Sequence, residues 1–100
     1  MPPREFLDVD PRGLHLLPSQ AGGADPFKLQ TQIIRVGAST IGRPPPWVYR
    51  GSDGALVLYN GVTRATRTAK LAPGTTIRVE VVGRLNQLVG RYPKVGDTLP

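Results

Sequence analysis

Two stretches of the chain alternate apolar and polar residues, which is the pattern of a β-strand with one buried face. One is Glu5–Val9, which is short, and the other is Thr76–Val82, where apolar residues alternate with Arg78 and Glu80. Each stretch therefore predicts a strand. The apolar positions of the second stretch are Ile77, Val79 and Val81.

Two further runs are rich in the β-branched and aromatic residues that strands favour. They are Trp47–Arg50 and Ala55–Tyr59, and Gly51-Ser52-Asp53-Gly54 lies between them. Because glycine, serine and aspartate are common turn residues, this region predicts a β-hairpin.

A helical pattern begins at Asp25-Pro26. Aspartate followed by proline is typical of an N-cap and the first helical position, and apolar residues follow at helical spacing. We predict a helix over Phe27–Val36 that ends at Gly37.

Three segments show no sustained period, and they are residues 10–25, 39–46 and 83–100. We predict a long loop with a turn near Leu14–Leu17 in the first and a stiff spacer in the second, which has three successive prolines. The prolines could instead be a ligand for another domain. The third segment is expected to lie along the surface, docked by Leu85, Leu88 and Val89.

The segment Asn60–Leu71 has two interpretations. Asn60-Gly61 is a strong hairpin signal, so Thr63–Thr68 could return as a strand. However, Val62 and several alanines recur at helical spacing, whereas a strand would place Val62 and Arg64 on one face. We therefore favour a helix here. A helix between two strands predicts that these strands run parallel with a right-handed connection.

The start of this helix carries the candidate chemistry. Free N–H groups at a helix start hold partial positive charge and attract phosphate. Asn60 and Gly61 let the backbone turn sharply, and the glycine permits close backbone approach. Thr63 can donate a hydroxyl, and Arg64 can offer a fork of N–H donors to an oxyanion.

Other residues could extend this contact. Arg67 and Lys70 follow Arg64 at intervals of three, so they could form a basic stripe that tracks a phosphate backbone, or an exposed solubilising face. Trp47 and Tyr49 could stack on a base, although core packing is the more common role of aromatics in a small hairpin.

Composition narrows the classes of function. The net charge of +6 and pI of about 10.5 favour a polyanionic or acidic partner, or else a solvated basic face. Cysteine is absent, which excludes disulfides and thiolate chemistry, and the single histidine, His15, is expected to be packed rather than functional. We predict no metal site.

The chain has neither a membrane-length apolar run nor a signal-peptide pattern, which predicts a cytoplasmic protein without membrane contact.

The order of these features resembles the ParB/sulfiredoxin superfamily over about residues 5 to 83. The segments that carry the resemblance are Asp8-Val9-Asp10-Pro11, Gly37, Pro46-Trp47-Val48, Leu56–Tyr59, Asn60-Gly61-Val62-Thr63-Arg64, Ala69-Lys70 and Val79–Val82. In that superfamily a Gly-x-x-Arg at a helix start contacts nucleotide phosphates, and Gly61 and Arg64 match it. The resemblance implies a domain that binds nucleotide or nucleic acid.

Departures from the family pattern narrow the activity. Val62 stands where sulfiredoxin has its catalytic cysteine and Thr63 where a histidine is usual, which excludes sulfinic acid reduction. Partition proteins usually carry Glu and Arg at these two positions and continue into a helix-turn-helix and a dimerisation domain. This chain is expected to end too soon for either, so we expect no operator-specific partition activity.

Some members of the superfamily look like nucleases or phosphotransferases, and that chemistry needs a carboxylate beside the phosphate. The candidates are Asp8, Asp10 and Glu80. Asp8 and Asp10 could share a strand face and a metal, although solvated loop acids are the more common case. The cofactor implied by such chemistry is a nucleotide triphosphate with Mg²⁺.

With 100 residues, the chain has the size of one domain, with a core over about residues 5–83 and a tail over 84–100. We predict the α+β class, with a small mixed sheet and two main helices of the ParB/sulfiredoxin type. The expected function is phosphate binding for nucleotide or nucleic acid. The alternatives are a small nuclease or phosphotransferase, and an interaction protein that keeps the scaffold, binds a protein partner and has no nucleotide.

Overall fold

The computed structural model describes residues 3–37 and 44–99, which form a five-stranded mixed sheet and two α-helices. The elements in chain order are β1 (Glu5–Val9), β2 (His15–Leu16), α1 (Pro26–Val36), β3 (Trp47–Arg50), β4 (Leu56–Asn60), α2 (Val62–Leu71) and β5 (Ile77–Arg84). Short 3-10 turns lie at Pro11–Gly13, Pro18–Gln20 and Val95–Thr98. The predicted α+β class, with a small mixed sheet and two main helices, is confirmed. Residues 39–43, most of the predicted spacer, lie outside the described residues.

Local patterns account for the two helices. Asp25 caps α1, because its Oδ1 accepts the Phe27 N–H at 2.8 Å, and the helix ends at Gly37 with φ 58°. The segment after β4 is helical, so the alternative of a returning strand is wrong. Within residues 3–37 and 44–99, neither helix has the length and apolar character needed to cross a membrane.

The sheet order is β1-β5-β3-β4-β2, which contradicts one prediction. β3 is antiparallel to β4 and parallel to β5, so the strands on either side of α2 run in opposite directions rather than parallel. The reason is that the edge of β4 away from β3 is occupied by β2, so the chain does not return beside β4 after α2. β5 instead pairs with the far edge of β3, beyond the hairpin.

Strand β2 lies inside the predicted long loop, where a turn was expected. It has two residues, too few to show alternation, and it pairs in parallel with β4 through His15 and Val57. The C-terminal tail holds its other side, because the Leu16 N–H donates to the Pro93 carbonyl at 2.8 Å. Long-range pairing therefore makes this strand, and the local sequence does not signal it.

The core lies between one face of the sheet and α2. Its buried apolar residues are Leu14, Leu16, Val48, Leu58, Val62, Ala65, Ala69, Ile77, Val79 and Val95. The two alanines have short side chains, which lets α2 approach the sheet closely. Helix α1 packs against α2.

Asp53, in the hairpin turn, holds the tail. Its Oδ2 accepts the Gly90 N–H at 2.8 Å, and its Oδ1 accepts the Ala55 N–H at 3.2 Å and the Val89 N–H at 3.4 Å. These backbone donors, Gly90 first, lower the pKa of the Asp53 carboxyl. Of the three residues predicted to dock the tail, Val89 is fully buried, whereas Leu88 is exposed.

We expect Asp53→Asn to lower the melting temperature by several degrees at pH 7, because the amide cannot accept all these N–H groups as a carboxylate does. A carboxylate with a depressed folded-state pKa stabilises fully above its unfolded pKa of about 3.9, and this stabilisation is lost as pH falls through the folded value. The difference from wild type should therefore shrink below about pH 4. Thermal melts across pH 2 to 7 measure it.

Ser52→Ala is the control for this variant, since it changes a neighbouring exposed turn residue whose described hydrogen bond is made by the backbone. It should melt like wild type at every pH. Equal melting temperatures for Asp53→Asn and wild type at pH 7 would show that the carboxylate does not hold the tail.

Candidate functional site

The turn from β4 into α2 is built on Gly61, which has φ 98° and precedes the first helical residue. A Cβ at this position would lie 2.7 Å from the Cβ of Pro46. Glycine is therefore required by both the backbone conformation and the space. The close approach that the sequence suggested for a ligand is made here by Pro46, and a phosphate contact at Gly61 stays a prediction.

The start of α2 carries no capping side chain. Gly61 supplies none, no side-chain hydrogen bond from the described part of the chain caps the helix, and its first turn holds no acidic residue. In α1, by contrast, the Asp25 carboxylate occupies that place. The N–H groups that begin α2 thus keep their partial positive charge for an external acceptor.

A cavity of about 570 Å³ opens at this helix start. Its lining residues are Gln20, Lys28, Gln32, Tyr59, Asn60, Gly61, Val62, Thr63 and Arg64. The structure thus brings together four residues that the sequence predicted for the phosphate site, namely Asn60, Gly61, Thr63 and Arg64.

Three polar lining residues were not predicted from the sequence. Lys28 and Gln32 come from α1, where their spacing of four places them on one face of the helix. Gln20 comes from a 3-10 turn in the predicted loop. Helical spacing could have paired Lys28 with Gln32, but nothing in the local sequence places this face of α1 over the start of α2.

Gln20, which is among the residues that line the cavity, carries a buried polar atom. Its Oε1 has no hydrogen-bond partner among residues 3–37 and 44–99. A buried acceptor without a partner costs free energy, about 1–3 kcal/mol, which a ligand with a donor group can restore. The amide also carries N–H donors, so rotation about its last bond lets Gln20 offer either function.

Arg64 joins this cavity to a smaller one. Its Nη1 donates to the Pro44 carbonyl, which holds the guanidinium beside the chain that enters β3. The smaller cavity, of about 240 Å³, is lined by Pro44, Pro45, Pro46, Arg64, Thr68, Thr76, Ile77 and Arg78. Arg64 is therefore a half-buried cation with a fixed backbone contact rather than a freely moving surface arginine.

The three cations of α2 lie in different environments. Arg67 is fully buried, and its Nη1 donates to Gln32 Oε1 at 3.1 Å, which links α2 to α1. Lys70 is exposed at the far end of the helix, away from the residues that line the site cavity. A continuous surface stripe would require Arg67 to leave its buried position. A direct phosphate contact by Arg67 or Lys70 stays a prediction.

The candidate acids lie elsewhere. Asp10 forms an ion pair with Arg12 at 2.7 Å, and Glu80 forms one with Arg4 at 2.9 Å. Hydrogen bonds from these arginines lower the pKa of both carboxyls.

Asp8 lies 3.6 Å from Arg78, and none of these three acids lines the cavity at α2. Within the described ranges, no group of three histidine or carboxylate side chains is arranged to hold a metal ion. The predicted catalytic roles remain untested.

Two large aromatic side chains are exposed beside the cavity. Trp47 is 42% exposed and Tyr59 49% exposed, so the core interpretation is wrong for Trp47. Their ring centroids are 6.3 Å apart and their planes differ by 7°. Tyr49 meets Tyr59 edge-on at 5.3 Å. His15 is buried, as expected, with Nδ1 donating to the Tyr92 carbonyl at 2.8 Å.

Comparisons of the chain with protein-family models, with curated proteins and with solved structures returned no match. The resemblance to the ParB/sulfiredoxin superfamily stays a prediction. Function is inferred below from the geometry of the cavity at α2.

We expect Gly61→Ala to destabilise the fold more than Gly74→Ala does. Both glycines have positive φ, which costs a side chain about 1–2 kcal/mol. A Cβ at Gly74 meets nothing within 4 Å, whereas at Gly61 it meets Pro46, which adds roughly 1–3 kcal/mol of steric cost. Urea denaturation of both variants measures the difference, and equal free energies of unfolding would contradict the close contact.

Proposed function

We propose that this chain is a phosphate-binding domain of the ParB/sulfiredoxin type, which binds nucleotide or nucleic acid at the start of α2. One observation carries the proposal: an uncapped helix start opens into a cavity lined by Lys28 and Arg64, cations that come from two different helices. Oriented N–H groups and two cations around one space favour an oxyanion.

Each polar group at the cavity has its own role in the proposed phosphate binding. The N–H groups at the helix start and the Thr63 hydroxyl donate to phosphate oxygens, while the Arg64 guanidinium adds its positive charge. Lys28 contributes a mobile ammonium from the opposite wall. Gln20 presents its buried amide to a neighbouring polar group of the ligand.

Two contacts support this arrangement from outside the cavity. The Pro44 carbonyl holds the Arg64 guanidinium, and Arg67 donates to Gln32 Oε1. Because that oxygen accepts from Arg67, the amide nitrogen of Gln32 remains available as a donor. Arg67 thus contributes as a positioning residue through Gln32.

Gly61 and Arg64, the pair that matches the Gly-x-x-Arg of the superfamily, both line the cavity, which supports the family interpretation. No carboxylate of the described residues lines it, and the three candidate acids are engaged with arginines. We therefore favour binding over a nuclease or phosphotransferase reaction, which needs an acid beside the phosphate.

We expect pyrophosphate, ATP and short DNA oligonucleotides to raise the melting temperature of the wild type at low salt. A ligand at one hundred times its Kd adds about 2.7 kcal/mol of stability. Lys28→Ala should weaken binding about tenfold, since it removes one charge-assisted contact from an exposed side chain. Arg64→Ala should weaken it at least as much.

Arg35→Ala is the matched control, because it removes the same charge from α1 at an exposed residue that does not line the cavity. It should bind like wild type. If none of these phosphates shifts the melting temperature at low salt, with or without Mg²⁺, the phosphate site is refuted. An equal loss in Arg35→Ala would show that net charge, rather than this cavity, attracts the ligand.

A further inference from the structure

The face of the sheet opposite α2 carries the exposed aromatic pair. Side chains alternate between the two faces of a strand, and Val48 and Leu58 point into the core. Their neighbours Trp47 and Tyr49 both contact Tyr59 on the other face. Exposed tryptophan and tyrosine side chains that cluster in this way are typical of a binding surface.

The rings of Trp47 and Tyr59 have a defined relative orientation. The planes of Trp47 and Tyr59 differ by only 7°, and Tyr49 packs edge-on against Tyr59. A β-bulge between Trp47 and Val48 places Trp47 opposite Asn60, the residue next to Tyr59. Aromatic rings held in this way stack on nucleobases of any sequence, because every base has a π-face.

Tyr59 connects this aromatic surface to the phosphate cavity. It lines the cavity together with Lys28 and Arg64, and it stacks on Trp47 outside it. In a nucleotide the base and the phosphate are joined through a sugar, so a site for both needs an aromatic surface next to an oxyanion site. Tyr59 joins the two, because its side chain is part of the aromatic surface and also lines the phosphate cavity.

Charge indicates the direction in which such a ligand lies. Trp47 also neighbours Glu80 of β5, whose carboxylate binds Arg4 at 2.9 Å. Arg4 in turn lies over the ring of Phe6, 5.0 Å from its centroid. The carboxylate on this side is neutralised by Arg4, whereas Lys28 and Arg64 line a cavity that has no carboxylate of the described residues, so the stronger attraction for phosphate lies there. The backbone therefore lies toward α2, with the bases on Trp47 and Tyr59.

We infer that the ligand of this site is a single-stranded nucleic acid, with bases stacked on Trp47 and Tyr59 and a backbone phosphate at the start of α2. The inference rests on the proposed phosphate site and adds the substrate class. In a duplex the base faces are stacked on each other and cannot reach these rings. Two neighbouring rings offer area to successive bases, which favours an oligonucleotide over a mononucleotide.

Trp47 provides the measurement, since it is the only tryptophan of the chain and its fluorescence reports stacking directly. Wild type is titrated at low salt with a single-stranded oligothymidylate, an abasic single strand of the same length, and a duplex. The oligothymidylate should quench Trp47 and bind about tenfold more tightly than the abasic strand, the gain typical of stacked bases. The abasic strand and the duplex should bind without quenching.

Two variants separate the contributions of base and phosphate. Tyr59→Leu keeps an apolar strand residue but removes the ring, so it should reduce the affinity for oligothymidylate about tenfold and the affinity for the abasic strand much less. Lys28→Ala should weaken both strands equally. Phe27→Ala is the control, because it removes an aromatic ring that is 80% exposed on α1 and does not line the cavity. It should bind both strands like wild type.

The outcomes distinguish base stacking on the aromatic surface from phosphate binding at the start of α2. If the abasic strand binds as tightly as oligothymidylate and Trp47 is not quenched, or if the duplex binds more tightly than oligothymidylate, base stacking is refuted and the phosphate site stands. If neither single strand binds, this inference fails, and the proposed function fails with it only if pyrophosphate and ATP also leave the melting temperature unchanged. The comparison of ligands on wild type decides these cases even if a variant does not fold.

Discussion

Three elements meet at Pro46, and the rest of the structure depends on that meeting. Its ring lies against Gly61, where any side chain would approach within 2.7 Å. Its carbonyl accepts the Glu80 N–H at 2.9 Å, and β3 begins at the next residue. The start of the central strand, the start of α2 and the middle of β5 are therefore fixed relative to one another by one proline. The uncapped helix start faces the cavity at this point because Gly61 alone can make the turn.

Strand β3 lies between an antiparallel neighbour, β4, and a parallel neighbour, β5. This arrangement explains why the Tyr59 side chain belongs both to the aromatic surface and to the cavity at α2. The hairpin makes β4 end where β3 begins, so Trp47 and Tyr59 come together at the same end of the sheet as the start of α2. Helix α2 covers the opposite face with small residues, of which Ala65 is fully buried. The aromatic rings are thus left on the face away from α2, while the turn after Tyr59 carries the chain to the helix face.

Much of the fold follows from local sequence, and the remainder depends on long-range pairing. Asp25-Pro26, the hairpin and the alternation in β5 act over a few residues, and the structure has all three elements. The direction of β5 relative to β4 depends instead on which strand edges are already paired. Strand β2 has only two residues, which are too few to show a hydrophobic pattern. The site shows the same division. A spacing of three predicted that Arg64 and Arg67 share a side of α2, but only the packing of α1 shows that Arg67 is buried on Gln32.

The net charge of +6 is unevenly distributed over the molecule. Four ion pairs of the described residues neutralise β1 and its surroundings, and they are Glu5–Arg50, Asp8–Arg78, Asp10–Arg12 and Glu80–Arg4. The cavity at α2 has Lys28 and Arg64 and no carboxylate in its lining. Since a low-dielectric wall strengthens the field of such cations, the start of α2 attracts a polyanion in addition to the exposed cations elsewhere, such as Arg35, Lys70 and Arg84. Tyr59 lies beside these cations in the cavity lining, so the proposed ligand, attracted by its phosphates, would bring its bases to the aromatic face.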